Sequence, residues 1–210
     1  HRGFLTMDFG AKFDGYCSDM TRTIVIGKAD DEMKKLYNTV LKAQTEALEY
    51  LRVGADLGAT DKVARDIIDA EYSGCFGHSL GHSVGLFIHE APGLSKLYNG
   101  REARVGEIFT VEPGIYVYGK YGCRIEDMVA ITKDGVRNFT KSDKKLIESL
   151  FETEKDKKER EIELENQKMR EQNLKLKKLK IKHILKKNFM NCIFNIKKKS
   201  KKSMKSLNLV

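Results

Sequence analysis

Tryptophan is absent from this 210-residue chain, and it has only four cysteines and two prolines. The cysteines, Cys17, Cys75, Cys123 and Cys192, are scattered, with no CxxC pair and no metal-finger spacing. That excludes a disulfide framework and a zinc finger, and it fits reduced thiols in a cytoplasmic protein. No uncharged run is long enough for a membrane span, and no signal-peptide pattern is seen. A hydrophobic content of 40% still suffices for one sizeable core. The chain opens at His1, directly before the apolar run "FLTMDFG", as expected of a fragment whose natural beginning lies elsewhere.

Acidic residues are scarce in one region only. The chain carries 39 Lys and Arg against 30 Asp and Glu, a net charge of +9. Residues 151–210 hold 19 basic and 8 acidic groups, leaving 20 and 22 in residues 1–150. The basicity therefore belongs to the tail. Glycine ends at Gly135 and proline at Pro113, so composition divides the chain near Leu150 into a folded part, 1–150, and a Lys-rich part, 151–210. In the tail, "ETEKDKKEREIELENQKMREQNLKLKKLKIKHILKK" reads as a charged helix with Ile162, Met169 and Leu176 at heptad spacing. Glu165 and Gln172 at the matching core positions weaken a coiled coil. "NIKKKSKKSMKSLNLV" has the composition of a disordered segment. Nine lysines and no acid lie between Ile181 and Val210, but with only Phe189 and Phe194 as aromatics and no recognised fold, no specific nucleic-acid site is expected.

In residues 1–150 two periodicities alternate. "GFLTMDFGAKFDGYCSDMTRTIVIG" predicts a hairpin around Asp14-Gly15, a strong two-residue turn signal. "DDEMKKLYNTVLKAQTEALEYLRVG" predicts a helix with N-terminal acids, an apolar stripe of Leu36, Val40, Ala43, Ala47 and Leu51, and a stop at Gly54. "ATDKVARDIIDAEY" predicts a second helix, and "GEIFTVEPGIYVYG" and "GCRIEDMVAIT" predict one strand each. Strand pairs separated by helices without regular βαβ spacing indicate an α+β fold.

The segment "FGHSLGHSVGLFIHE" holds His78, His82 and His89. A spacing of four would suit a helical zinc-protease pair. Gly77, Gly81 and Gly85 oppose a helix, each at a cost of about 1 kcal/mol relative to alanine, and the glutamate such a motif needs is Ser79. That motif is excluded, and histidines alone are usually structural.

Carboxylates give the cluster a context. With Asp14 and Gly15 as the loop, paired positions in the first hairpin sum to 29, so Asp19 lies opposite Gly10 and Asp8 shares its face. Gly10 would leave open the space between the two carboxylates. Two anions converging there would repel each other without a cation, although a solvated hairpin face with two surface aspartates satisfies the same pattern. Glu112 and Glu126 are symmetric about Gly119 and would stand opposite each other in a simple hairpin. Four carboxylates and one imidazole carry a charge that two divalent cations neutralise, as a two-metal hydrolytic site requires.

"MDFGAKFDGYCSDMTRT", "FGHSLGHSVGLFIHEAPGLS", "TVEPGIYV" and "RIEDMVAIT" together resemble, in order and spacing, the signature blocks of the M24 metallopeptidases, which share the pita-bread fold. The likeness runs from about Phe4 to Leu150. "RIED" and "HEAPGLS" resemble the Xaa-Pro dipeptidase and aminopeptidase P branch more than the methionine aminopeptidases. The resemblance implies Asp8, Asp19, His82, Glu112 and Glu126 as ligands of two divalent metal ions, with Asp19 and Glu126 bridging. Manganese is the first choice, with cobalt or zinc as alternatives. It further implies that Glu112 shuttles a proton, that His78 and His89 face the substrate carbonyl, and that Arg124 helps hold the site together. Pairing of Arg124 with an acid such as Glu126 is its ordinary structural role.

The implied substrate is a peptide with proline at its second position, and a homodimer is left open. A non-peptidase hydrolase, or an inactive binding protein on the same fold, is the alternative. Helices and strands that precede the "DFG" block in the family are missing, so weak activity or none is expected of this chain by itself.

Overall fold

The computed structural model describes residues 2–149 and, further along, residues 158, 161–172, 174, 175 and 177. The chain divides into two units, His1–Phe151 and Glu152–Val210.

The first unit begins with β1 (Gly3–Phe9), β2 (Lys12–Phe13), β3 (Tyr16–Cys17) and β4 (Met20–Ile26). Asp14 and Gly15 both adopt positive φ, 49° and 84°, as a tight Asp-Gly hairpin turn requires. The register runs from Phe13↔Tyr16 through Asp8↔Thr21 to Gly3↔Ile26, so every pair sums to 29 as predicted. Between β2–β3 and β1–β4 the ladder is interrupted. A Cβ on Gly10 would lie 1.9 Å from the Ser18 carbonyl oxygen. Gly10 thus serves a close approach of two backbones rather than an open space between carboxylates.

Two helices follow. α1 (Asp31–Tyr50) is capped by Asp30, which accepts from the Met33 amide, and the stripe Leu36, Val40, Ala43, Ala47 and Leu51 is buried. α2 (Leu57–Tyr72) starts two residues before the expected Ala59, because the Asp56 side chain caps it by accepting from Ala59 N at 2.7 Å. These stripes share one core with Phe109, Val111, Val129 and Ile131. Each such buried side chain contributes about 1.5–3 kcal/mol of transfer free energy.

The remaining strands are β5 (Gly81–Ser83), β6 (Glu90–Leu94), β7 (Ile108–Val111), β8 (Gly114–Val117), β9 (Tyr121–Arg124), β10 (Asp127–Thr132), β11 (Gly135–Asn138) and β12 (Glu148–Ser149). They form a five-stranded sheet in the order β11-β10-β7-β5-β6 and a β8-β9 hairpin, while β12 joins β1-β4. The histidine segment supplies β5 and β6, which are too short to show a period. Each of the two long strands predicted here is in fact two. The register Val117↔Tyr121, Gly114↔Arg124 and Asp127↔Val111 is symmetric about Gly119, as expected. At Glu112 and Glu126 the paired segments part: Glu112 N donates to Leu80 O and Glu126 N to Thr21 O. The two acids hold matching positions without forming the destabilising opposed pair.

In the second unit, residues 161–172 are helical and exposed, with Ile162 at 58% and Met169 at 54% exposure. Leu176 and the basic segment 178–210, including the stretch read as disordered, lie outside the described residues. No described helix is long and apolar enough to cross a membrane.

Candidate metal centre

Breaks in the strands fall at acidic residues. Asp19 immediately precedes β4, Glu112 follows β7 and Glu126 precedes β10. Their side chains converge on His82 of β5. Asp19, His82 and Glu126 each place a donor atom within 4.8 Å of the others. His82 Nε2 lies 3.6 Å from Asp19 Oδ2 and 3.3 Å from Glu112 Oε1. The other ring nitrogen, Nδ1, is 3.0 Å from Ser83 O. A carbonyl only accepts, so Nδ1 carries a proton and Nε2 is the ring nitrogen that faces the carboxylates.

Two threonines hold the glutamates. Thr110 Oγ1 accepts from His82 N at 3.0 Å and donates to Glu112 Oε1 at 2.9 Å. Thr21 Oγ1 donates to Glu126 Oε2 at 2.6 Å. Glu126 Oε1 is buried and has no hydrogen-bond partner among the described residues. Buried polar atoms are rarely left unpaired. This one, beside further carboxylates and an imidazole, fits a site for hard divalent cations.

Asp8 is more exposed and shares a cavity of about 410 Å³ with Asp19 and His89. Its Oδ2 accepts from Arg124 Nη2 at 2.5 Å. Arg124 also donates to the Tyr116 hydroxyl at 2.9 Å and to Thr21 Oγ1 at 3.2 Å, and it approaches Glu112 at 3.9 Å. Its ion-pair partners are therefore Asp8 and, at the longer distance, Glu112, not Glu126. The backbone explains this: Gly114↔Arg124 pairing places Tyr116 diagonally across from Arg124, while Glu126 is turned toward Thr21.

His78 Nδ1 donates to Ser79 O at 2.8 Å, which leaves Nε2, 2.9 Å from the Tyr116 hydroxyl, to accept. A chain of contacts thus runs from His78 through Tyr116 and Arg124 to Asp8. His89 is exposed, its ring 4.2 Å from that of His82. All three histidines line a cavity of about 700 Å³.

Burial pushes Glu126 up to about 8 and Glu112 up to about 7. Burial and then the charge of Asp8 raise Asp19. Burial lowers His78 and keeps its imidazole neutral. Without a cation, this cluster resists carrying its full negative charge.

Thr21, Thr110 and Tyr116 escape a reading that looks only for ligands. Period two would find the threonines, since Thr110 stands two residues before Glu112 and Thr21 two after Asp19. Tyr116 needs the β8–β9 register as well.

A profile of metallopeptidase family M24 matches residues 1–133. The chain is 43% identical over 144 residues to the Xaa-Pro dipeptidase of Pyrococcus horikoshii, covering 68% of this chain and 41% of that one. Among solved structures, the Xaa-Pro dipeptidase from Bacillus anthracis superposes with a TM-score of 0.67 at 46% identity, over 70% of this chain and 41% of that one. The X-Pro aminopeptidase from Thermotoga maritima gives a TM-score of 0.67 at 39% identity, over 70% and 42%. This chain spans about two fifths of the length of these relatives. The shared α+β architecture is of the pita-bread type, and the chain belongs to metallopeptidase family M24.

Proposed function

We propose that this chain is the metal-binding part of a peptidase that hydrolyses the Xaa-Pro bond, in dipeptides or at peptide N-termini. The observation that carries the proposal is the buried cluster in which Glu126 Oε1 has no partner among the described residues, beside Asp19 and Nε2 of His82. Asp8, Asp19, His82, Glu112 and Glu126 would hold two divalent ions. The carboxylate-rich donor set favours manganese, ahead of cobalt or zinc. When bound, such ions activate a water and polarise the scissile carbonyl.

The chain's own groups supply the rest. Glu112, oriented by Thr110, accepts a proton and delivers it to the leaving nitrogen. His89, exposed in the cavity beside His82, is free to donate to the substrate carbonyl. Both ring nitrogens of His78 are engaged, so His78 acts by holding the Tyr116 hydroxyl against Arg124. Proline specificity is supported by the names of the relatives, and a cytoplasmic setting by the free thiols of Cys17, Cys75 and Cys123.

Hydrolysis of Ala-Pro and Ala-Ala dipeptides, with manganese or with chelator, by this chain co-expressed with the N-terminal half of a bacterial Xaa-Pro dipeptidase, tests this reading. Manganese-dependent cleavage of Ala-Pro is expected. Preference for Ala-Ala would overturn the specificity, and failure to cleave either would overturn the peptidase assignment.

A further inference from the structure

Residues 76–80 carry His78 and contain no regular secondary structure. Backbone polar groups in such a segment still need partners. Three of them find partners in a single pair of side chains one helical turn apart on α2. Arg65 Nη1 donates to Phe76 O and Nη2 to His78 O, both at 2.8 Å. Asp61 Oδ1 accepts from Leu80 N at 2.9 Å. The pair is locked internally, with Arg65 Nε and Nη2 reaching the two Asp61 oxygens at 2.9 and 3.0 Å. The guanidinium also lies 4.3 Å from the centre of the Phe76 ring, and that ring meets His78 edge-on at 5.0 Å.

Stability alone does not account for this arrangement. Asp61 has a side-chain exposure of 4%. A buried ion pair gives a helix little or no more stability than a well-packed apolar pair would. What the ion pair supplies is geometry: five N–H donors in a rigid fork span two carbonyls and a carboxylate at once, which lysine cannot do.

We infer that Asp61 and Arg65 are positioning residues that shape the backbone of residues 76–80 and so set the His78 ring against Tyr116. Neither side chain is assigned contact with the reacting atoms. They act through His78, and only the kinetic part of the test rests on the peptidase reading.

The test compares Arg65→Ala, Arg65→Lys and Asp61→Asn in the full chain, with manganese and the co-expressed N-terminal half for the kinetic arm. Lys62→Ala serves as the control, because it removes an exposed ion pair with Asp66 on the same helix. Hydrogen exchange at residues 76–80 should quicken in all three variants, while amides of α1 and β10 keep their parental rates. Nitrogen chemical shifts of the His78 ring should move from a single tautomer toward a mixture. The kcat for Ala-Pro should fall about 100-fold, as for a misplacement of about 1 Å, with KM nearly unchanged. Millimolar methylguanidinium should restore part of the loss in Arg65→Ala and none in Arg65→Lys.

Unchanged exchange and an unchanged His78 tautomer in Arg65→Lys would overturn the inference even if Arg65→Ala fails to fold. Quickened exchange spread evenly over α1 and β10 would also overturn it. An altered His78 tautomer in a chain whose parent cleaves no peptide would uphold the positioning role and sink the peptidase reading instead.

Discussion

Glu126 shows how single residues define the centre. One of its oxygens is held by Thr21, and the other is buried and unpartnered among the described residues. Burial pushes its carboxyl up to about 8. A raised acid is stabilising while protonated, so its contribution is complete below the unfolded value near 4.5 and is lost as pH rises through about 8. The metal-free chain should therefore melt at progressively lower temperature from about pH 5 to about pH 8. Manganese should reverse that trend, and thermal melts with chelator and with metal would check both slopes. Asp19 sits in the same cluster, whereas Asp14 lies in the turn. Asp19→Asn should lose bound metal and Asp14→Asn should keep it, as read by elemental analysis; equal metal contents would remove Asp19 from the ligand set. The residue types and their order were legible in the sequence, but the pairing of Thr21 with Glu126 was not. Thr21 and Glu126 are 105 positions apart, and no local pattern links them.

At the scale of elements, the centre lies on a seam between two sheets. Arg22 of β4 donates to Asp127 Oδ1 of β10 at 2.7 Å and to Glu126 O at 2.6 Å. Lys144 and Asn138 complete the set on Asp127 Oδ2, at 2.8 and 2.7 Å. Burial pushes Asp127 up, but the hydrogen bonds from Lys144, Arg22 and Asn138 bring it below its ordinary value. Its contribution is thus present above about pH 4 and lost on acidification, opposite in sign to that of Glu126. Asp127→Ala leaves Arg22 buried without its partner and should cost about 3–5 kcal/mol in urea unfolding. A loss below about 1 kcal/mol would place the network among weak surface pairs. Hairpin registers were legible here, because an Asp-Gly turn and a symmetric glycine turn each set the pairing. The breaks in those hairpins were not, because they arise where Leu80 and Thr21 capture the Glu112 and Glu126 amides.

For the whole molecule, charge separates two regions with different physics. Residues 2–149 contain the core and every residue of the proposed site, whereas residues 151–210 carry 19 of the 39 basic groups. Deleting residues 153–210 should leave manganese affinity and the melting of the first unit nearly unchanged, as measured by calorimetry. It should also abolish salt-sensitive retention on a polyanion column. Unfolding of the truncated chain would mean that the boundary near Leu150 is misplaced.

The sequence by itself determined the chemistry and the local order: which carboxylates and histidines are present, the two hairpin registers, the buried stripe of α1 and the change of composition near Leu150. These follow from turn chemistry, periodicity and charge, which act over a few residues. Only the tertiary structure decided that Arg124 pairs with Asp8, 116 positions away, that His78 meets Tyr116, and that Asp61 and Arg65 hold the loop between them. Each of those contacts depends on where sheets and helices part or close. That is settled by packing and by the need to pair buried polar groups, not by the pattern along any one segment.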